Sequence, residues 1–376
     1  MSESNQKLKE VALVFFKLGC FAFGGPAAHI AMMEDEIVVK RKWMTRDYFL
    51  DLIGSTNLIP GPNSTEMTMH CGYEYAGKKG LFIAGLCFIF PATIITAALA
   101  YFYVKYGNLP EVAPFIFGIK PAVLVIIASA IFKLGKKAIK RNELIVLGIL
   151  VLVASLSGMN EITALLSAGL IGMLYNSLYN TFKARLNSFS PLSLLALSSS
   201  LLQISSTKLF LVFLKVGAIL YGSGYVLFAF LDTELVARGW LTRSELIDAI
   251  AVGQFTPGPI LSTSTFIGYQ LSGFTGALAA TAGIFLPSFL FVLILNPLIP
   301  KMRQSKLFGY FLDAVNVAAV AVMLAVLFEM SLETLINWKA IVITIVSIFF
   351  VFGTKLSTMW TITIGALLGY LLIAFL

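Results

Sequence analysis

Aligned with itself, the chain repeats. The stretch FFKLGCFAFGGPAAHIAMMEDEIVVKRKWMTRDYFLDLIGSTNLIPGP (15–62) matches FLKVGAILYGSGYVLFAFLDTELVARGWLTRSELIDAIAVGQFTPGP (213–259) with one gap. The match continues: Gly72-Tyr73 and Gly80 pair with Gly268-Tyr269 and Gly276, and Pro91 pairs with Pro287. A chain written twice folds as two copies of one unit, so the architecture must place both copies together.

Composition says where that unit lives. Of 376 residues, 58% are hydrophobic and 12% charged, far above the roughly 45–50% apolar content of soluble domains. Each half holds apolar segments of membrane-spanning character, near 11–33, 50–70, 81–104, 112–134, 144–157 and 162–182, then 208–231, 247–270, 276–299, 308–330, 338–354 and 357–376. The gaps between them leave no room for a soluble catalytic domain. The expected fold is an all-α integral membrane protein of two homologous halves, with an N-terminal repeat at 8–187, a linker at 188–207 and a C-terminal repeat at 208–376.

The net charge of +8 sits in short loops such as KRKWMTR (40–46) and KLGKKAIKR (133–141), the pattern of cytoplasmic loops rather than of a nucleic-acid surface. Cys20, Cys71 and Cys87 form no CxxC motif, and His29 and His70 are the only histidines, which argues against structural zinc or a disulfide framework. The N-terminal run reads as a retained segment rather than a signal peptide, because Gly24-Gly25-Pro26 and a helical pattern follow it. No cofactor is expected, since no haem motif, Cys/His cluster or nucleotide fingerprint is present and an enzyme reading has nothing to build on.

Loop charges favour an N-terminus in the cytoplasm and a C-terminus outside, with 133–141, 183–185, Lys301, Arg303, Lys306 and Lys355 inside. The linker is long enough to cross once, which inverts the second half relative to the first. Simple alternation then misplaces Lys40, Arg41, Lys42 and Arg46, and a first segment folded back at Gly24-Gly25-Pro26 restores them to the inside.

Pro60-Gly61-Pro62 and Pro257-Gly258-Pro259 interrupt apolar segments at matched places. Two prolines do not fit one continuous helix, and irregular backbone at membrane depth survives only where protein or a water-filled cavity surrounds it. One reading is a kink that packs two helices; the other is a site. Asn63 follows as an expected N-cap, with Glu66 in the capping-box position and Ser64 and Thr65 between them. A half-helix starting there offers free N–H groups and a positive dipole end to an anion. In the second half Ser262 and Thr263, followed by Ser264 and Thr265, are expected to donate hydroxyls to it. Glycine breaks at Gly24-Gly25 and Gly222-Ser223-Gly224 let backbone approach a ligand. With inversion, four such ends meet about one pseudo-two-fold axis.

These motifs also carry a resemblance. FGGPAAHIAMMEDEIV, W-M-T-R-x4-D, PGPN, and the second copy with GYVLFAFLDTELV and GQFTPGPI resemble the chromate ion transporter family in its long-chain form of two fused homologous halves. The resemblance covers nearly the whole chain. It implies a multi-pass plasma-membrane transporter that exports chromate and confers chromate resistance, with coupling to the proton motive force. Members often carry three glycines where this chain has Gly222-Ser223-Gly224, which leaves substrate preference open.

Further candidates divide between roles. Lys17 and Lys215 are matched and lie in apolar runs, where they either snorkel or offset the charge of a dianion. Asp51 and Asp248, six residues after the N-cap candidates Thr45 and Thr242, are either proton carriers or partners of Arg46 and Arg243. Glu66 either caps its helix or couples protons, and Lys120, aligned with Asn316, is a candidate for anion attraction. Glu36 and Glu234 are expected to balance the basic loops, and His29 and His70 to pack. Asn57 and Gln254 either bond the anion or hold the broken backbone. The expected partners are chromate or a similar tetrahedral oxyanion and the lipid bilayer, with a homodimer as the candidate assembly. Oxyanion uptake, such as proton-coupled sulfate entry, and a passive anion channel are the competing readings.

Overall fold

The computed structural model describes residues 3–23, 25–56, 59–107, 109–181, 205–221, 224–295, 305–354 and 356–375. Gly24, Asn57, Gly222, Ser223 and most of the linker lie outside them. In the first half, α1 (Glu3–Phe21) stops before the Gly-Gly-Pro motif and α2 (Gly25–Met33) resumes from Gly25, whose φ of +78° suits only glycine without strain. A π-helical turn (Glu34–Lys40) leads to α3 (Arg46–Thr56), which ends before Pro60-Gly61-Pro62. Then come α4 (Asn63–Tyr106), α5 (Ala113–Ala138), α6 (Asn142–Leu156) and α7 (Glu161–Thr181).

The second half follows the same plan. It has α8 (Ser206–Ile219), a 3-10 turn (Gly224–Val226), α9 (Leu227–Leu231), a π-helical turn (Asp232–Val236) and α10 (Arg243–Phe255). After the second Pro-Gly-Pro come a 3-10 turn (Ile260–Ser262), α11 (Thr263–Leu295), α12 (Lys306–Thr334), α13 (Trp338–Gly353) and α14 (Thr358–Ala374). No strand occurs among the described residues. Among the described residues, four helical stretches are long and apolar enough to cross a membrane: Asn63–Tyr106, Ala113–Ala138, Ile260–Ile294 and Leu307–Thr334.

The repeat extends to local geometry. Lys42 and Gly239 both take positive φ, +54° and +70°, immediately before the matched Trp43 and Trp240. The π-turns begin at matched residues, Glu34 and Asp232, so the single gap in the self-alignment falls between those starts and the tryptophans. Both α4 and α11 are hairpins: helical geometry fails at Ala76-Gly77 and at Ser272-Gly273. A Cβ on Gly72 would lie 2.5 Å from the Ala84 methyl, whereas residues 12 apart on a straight helix are about 18 Å apart. The arms therefore fold back on each other, with Gly72 against Gly80 and Gly268 against Gly276.

The halves interlock. The fourth long helix of each half, α5 or α12, packs on the last two helices of the other: α5 on α13 and α14, α12 on α6 and α7. Small residues let these backbones approach: a Cβ on Gly118 of α5 would meet Gly369 of α14 at 2.7 Å. α5 and α12 run antiparallel. Lys140, just past the end of α5, pairs with Asp313 near the start of α12 at 2.7 Å, while Phe117 and Lys120 share a cavity with Glu333 and Thr334 at the opposite end. Phe82, early in the long arm of α4, stacks on Phe289, late in α11, so that matched pair is antiparallel too.

Candidate functional site

Each Pro-Gly-Pro turn is tied to the other half. The Gly61 N–H donates to the Leu220 carbonyl (2.5 Å), and the Gly258 N–H donates to the Ala22 carbonyl (2.9 Å). Ala22 and Leu220 are matched residues at the broken ends of α1 and α8, so the two bonds form a reciprocal pair. The breaks thus satisfy one another across the halves, which the apolar surroundings demand of interrupted backbone. Tyr225 completes the contact, its hydroxyl 3.3 Å from the place a Gly25 Cβ would occupy.

In the first half the turn leads into a helix without a side-chain cap. Pro62, at φ −80° and ψ 102°, takes the N-cap place, and neither the expected Asn63 cap nor the Glu66 capping box forms. Proline offers no side-chain acceptor there, and the Thr65 and Glu66 N–H groups donate instead to the Pro62 carbonyl, at 2.8 and 3.1 Å. Glu66 is fully buried, and neither carboxylate oxygen has a hydrogen-bond partner among the described residues. It curls back over Gly61, beside the buried and likewise unpartnered Ser288 hydroxyl from α11. Thr65 and Thr96 add further buried hydroxyls without partners among the described residues.

His29 does more than pack. Its Nε2 lies 3.0 Å from the Ala22 carbonyl and its Nδ1 3.3 Å from Ser64 Oγ. A carbonyl only accepts, so Nε2 carries the hydrogen and the Ser64 hydroxyl donates to Nδ1. His29 thereby clips the end of α1 to the start of α4. His70 is buried on the same helix.

The second half differs. Thr263 Oγ1 donates to the Ile260 carbonyl (2.8 Å), Ser264 Oγ to the Leu261 carbonyl (2.7 Å), and Ser262 Oγ lies 3.4 Å from Thr256 Oγ1. Thr265 pairs with Thr281 at 2.7 Å. These hydroxyls are engaged within the second half, so donating to an anion would require them to leave these partners. Local bonds to a carbonyl three residues back compete with outside partners. Gln254 is buried near the same turn, and its Nε2 has no acceptor among the described residues.

The matched lysines pair with matched acids. Lys17 Nζ binds Glu36 at 2.9 Å and Lys215 Nζ binds Glu234 at 2.6 Å, with Lys40 and Arg238 also on those carboxylates. Both acids are nearly inaccessible while the lysines are half exposed. The Lys17 hydrogen bond, joined by Lys40 and Arg41, holds the Glu36 carboxyl below the ordinary carboxylate range against the opposing effect of burial. Glu36 and Glu234 thus balance local charge, as expected.

Arg243 does not pair with Asp248. It binds Asp232 (2.9 Å), Glu329 (2.6 Å) and Glu333 (2.7 Å), whereas its match Arg46 holds Glu34 at 2.8 Å near the surface. Asp248, 5% exposed, is bound by Lys120 of the first half (3.3 Å) and by the Tyr103 hydroxyl (2.7 Å). Its match Asp51 is exposed. The N-cap readings of Thr45 and Thr242 hold: Thr45 Oγ1 accepts from Tyr48 N–H, and Thr242 forms a full capping box with Glu245. Among the described residues no group of three or more His, Cys, Asp or Glu is placed to hold a metal ion.

Ser288, Tyr103, Tyr225 and the carbonyls of Ala22 and Leu220 belong to the site without having been singled out in the sequence. Ser288 had a faint signal, following the matched Pro287, but a backbone carbonyl leaves none. The equal spacing of Lys17 to Glu36 and Lys215 to Glu234 was visible as a pairing clue.

Comparison with known proteins agrees with this plan. The chain is 30% identical over 373 residues to a probable chromate transport protein of Synechococcus elongatus, covering 96% of this chain and 95% of the relative. It is 28% identical over 370 residues to a chromate transport protein of Cupriavidus metallidurans, covering 96% and 92%. An uncharacterized transporter of Bacillus subtilis aligns at 24% identity over 164 residues, 43% of this chain but 92% of its own length, as a protein the size of one half would. No solved structure matches. The model of the chromate transporter family matches twice, at residues 9–173 and 207–370, once on each interlocked half, and the chain belongs to that family.

Proposed function

We propose that the protein exports chromate, binding it where the four helix breaks meet and releasing it as the two halves move against each other. The reciprocal bonds from Gly61 to Leu220 and from Gly258 to Ala22 carry this reading, because they bring matched breaks from both halves to one buried place. The start of α4, which has no side-chain cap, presents the positive end of its dipole to an oxyanion there. The hydroxyls of Thr263 and Ser264 join only if their helix start rearranges; Gly25, Pro26, Gln254 and the polar face of Ser64 and Thr65 line the same junction. Glu66 has no counter-charge among the described residues, and an unpaired carboxylate at membrane depth is too costly to persist. It therefore serves as the proton carrier of the cycle.

The orientation follows from charge. The basic run ending α5 belongs in the cytoplasm, and the antiparallel course of α5 and α12 and of α4 and α11 supports an inverted repeat. On that reading α1–α2 and α3–α4 re-enter from the inside, α8–α9 and α10–α11 from the outside, and the C-terminus is outside. A membrane negative inside favours outward movement of a dianion by about 4.6 kcal/mol per 100 mV, twice the single-charge value. Uptake of sulfate would have to overcome that.

The test is uptake of radiolabelled chromate into inside-out vesicles, with voltage and pH gradient imposed separately and sulfate as competitor. Accumulation in the export direction is expected, driven by voltage and enhanced by the proton gradient. Sulfate accumulation in the import direction, without chromate movement, would replace the reading with uptake, and flux that never exceeds the gradient would replace it with a channel.

A further inference from the structure

A cavity of about 220 Å³ opens between the halves, away from the helix breaks. A single water needs roughly 10–15 Å³ by the same kind of measure, so there is room for a hydrated oxyanion. Its wall includes Lys120 from α5, Ser244 from the first turn of α10, and Thr334 and Asn337 from the end of α12 and the start of α13. Asn337 caps α13 through its Oδ1, which accepts from the Ala340 N–H and leaves the amide hydrogens as donors. The acid in the wall, Glu333, is engaged by Arg243 at 2.7 Å. The cavity lies at the end of α5 opposite the basic loop at 133–141, and so on the outer side in the orientation given above.

Lys120 stands between this cavity and a buried acid. Its Nζ lies 3.3 Å from Asp248 Oδ2 and within hydrogen-bond reach of the Ser244 hydroxyl. The same Oδ2 accepts from the Tyr103 hydroxyl at 2.7 Å, while Oδ1 is buried with no partner among the described residues. Asp248 sits one turn beyond Ser244 on α10, so both face Lys120 together. If the ammonium swings into the cavity, Asp248 keeps Tyr103, and Lys120 keeps Ser244 within reach.

We propose that this cavity is a second oxyanion site, on the outer face, in which a tetrahedral dianion takes the place of Asp248 as the partner of Lys120. The ammonium, the Ser244 and Thr334 hydroxyls and the Asn337 amide supply the donors. An anion leaving the central junction is received here before release, and sulfate arriving from outside occupies the same place. The inference rests on the export reading only for its orientation and its use.

The test places a cysteine at Asn337 (Asn337→Cys) in the full chain and labels it with a membrane-impermeant maleimide in right-side-out vesicles. Labelling from outside is expected, slowed by external sulfate. Adding Lys120→Gln should raise the sulfate concentration for half-protection about tenfold, the scale of one lost charge-assisted bond. Asp248→Asn, which frees Lys120, should lower that concentration by a similar factor, and Ser244→Ala, which keeps the ion pair, should raise it about threefold. Absence of protection, equal protection in the Lys120→Gln background, or labelling from the inside alone overturns the proposal. Protection that persists in a protein moving no chromate would sink the export reading and leave the outer site standing; transport without protection would sink the outer site alone.

Discussion

The two Pro-Gly-Pro regions share a backbone and differ in chemistry. Gly61 and Gly258 both take positive φ, +142° and +82°, and both donate to the broken first helix of the opposite half. Past the turn the copies part. The first places a buried Glu66, without a partner among the described residues, over its glycine; the second places Thr263, whose hydroxyl returns to the Ile260 carbonyl. The same division recurs at the turn before: Arg46 holds one acid near the surface, while Arg243 holds three. Duplication preserved what the backbone needs to be broken in a membrane, and left each copy free to take a separate share of the charge.

The shared part should respond equally in both halves. Gly72→Leu and Gly268→Leu each force a side chain into the opposing hairpin arm, at Gly80 and Gly276, costing about 3 kcal/mol or more and removing most folded protein. Size-exclusion profiles of the two variants should match; one tolerated and one lost would mean that only one hairpin is tightly closed.

The unshared part should not. Arg243→Ala leaves Asp232, Glu329 and Glu333 without their cation and is expected to destabilise by about 3–5 kcal/mol, the scale of a broken buried pair. Arg46→Ala removes one exposed pair, with an effect of about 1 kcal/mol or less. Thermal unfolding in detergent should separate them, and equal shifts would erase the asymmetry drawn between the copies.

At the turns, Glu66→Gln should abolish the response of chromate transport to a pH gradient while leaving the voltage response, and Thr263→Val should leave both within about twofold because its hydroxyl bonds only its own helix. A pH response that survives Glu66→Gln would remove Glu66 as the proton carrier. Small too is the expected effect of Lys17→Met or Lys215→Met, about 1 kcal/mol each and alike in the two halves, since Lys40 and Arg238 remain on the acids. The depressed Glu36 carboxyl stabilises the fold above the ordinary carboxylate range, near pH 4, and that contribution is lost as pH falls through its lowered value. Lys17→Met should therefore move the acid limit of stability upward, which a pH series of unfolding temperatures would register.

Much of this was legible in the residues. The breaks at Gly25 and the two Pro-Gly-Pro turns, the N-caps at Thr45 and Thr242, and the local role of Glu36 and Glu234 rest on short-range rules that hold wherever the segment lies. Other residues were less legible. Asp248 had two readings, a proton carrier or a partner of Arg243 five positions away, and the structure pairs it with Lys120 and Tyr103 of the other half. Glu66 looked like a cap because its spacing fits one; with proline at the N-cap, the box has no side chain to close it.

The sequence by itself determined that the protein is an all-helical membrane chain built from two copies of one broken-helix unit, because apolar run length, proline and glycine chemistry and self-similarity act locally. Only the tertiary structure decided that each copy's turn is completed by the other copy's carbonyl, that the matched lysines are neutralised by matched acids, and that Glu66 is buried over Gly61. Those outcomes depend on which groups meet when two halves interlock, and a buried polar group takes the partner that packing brings to it.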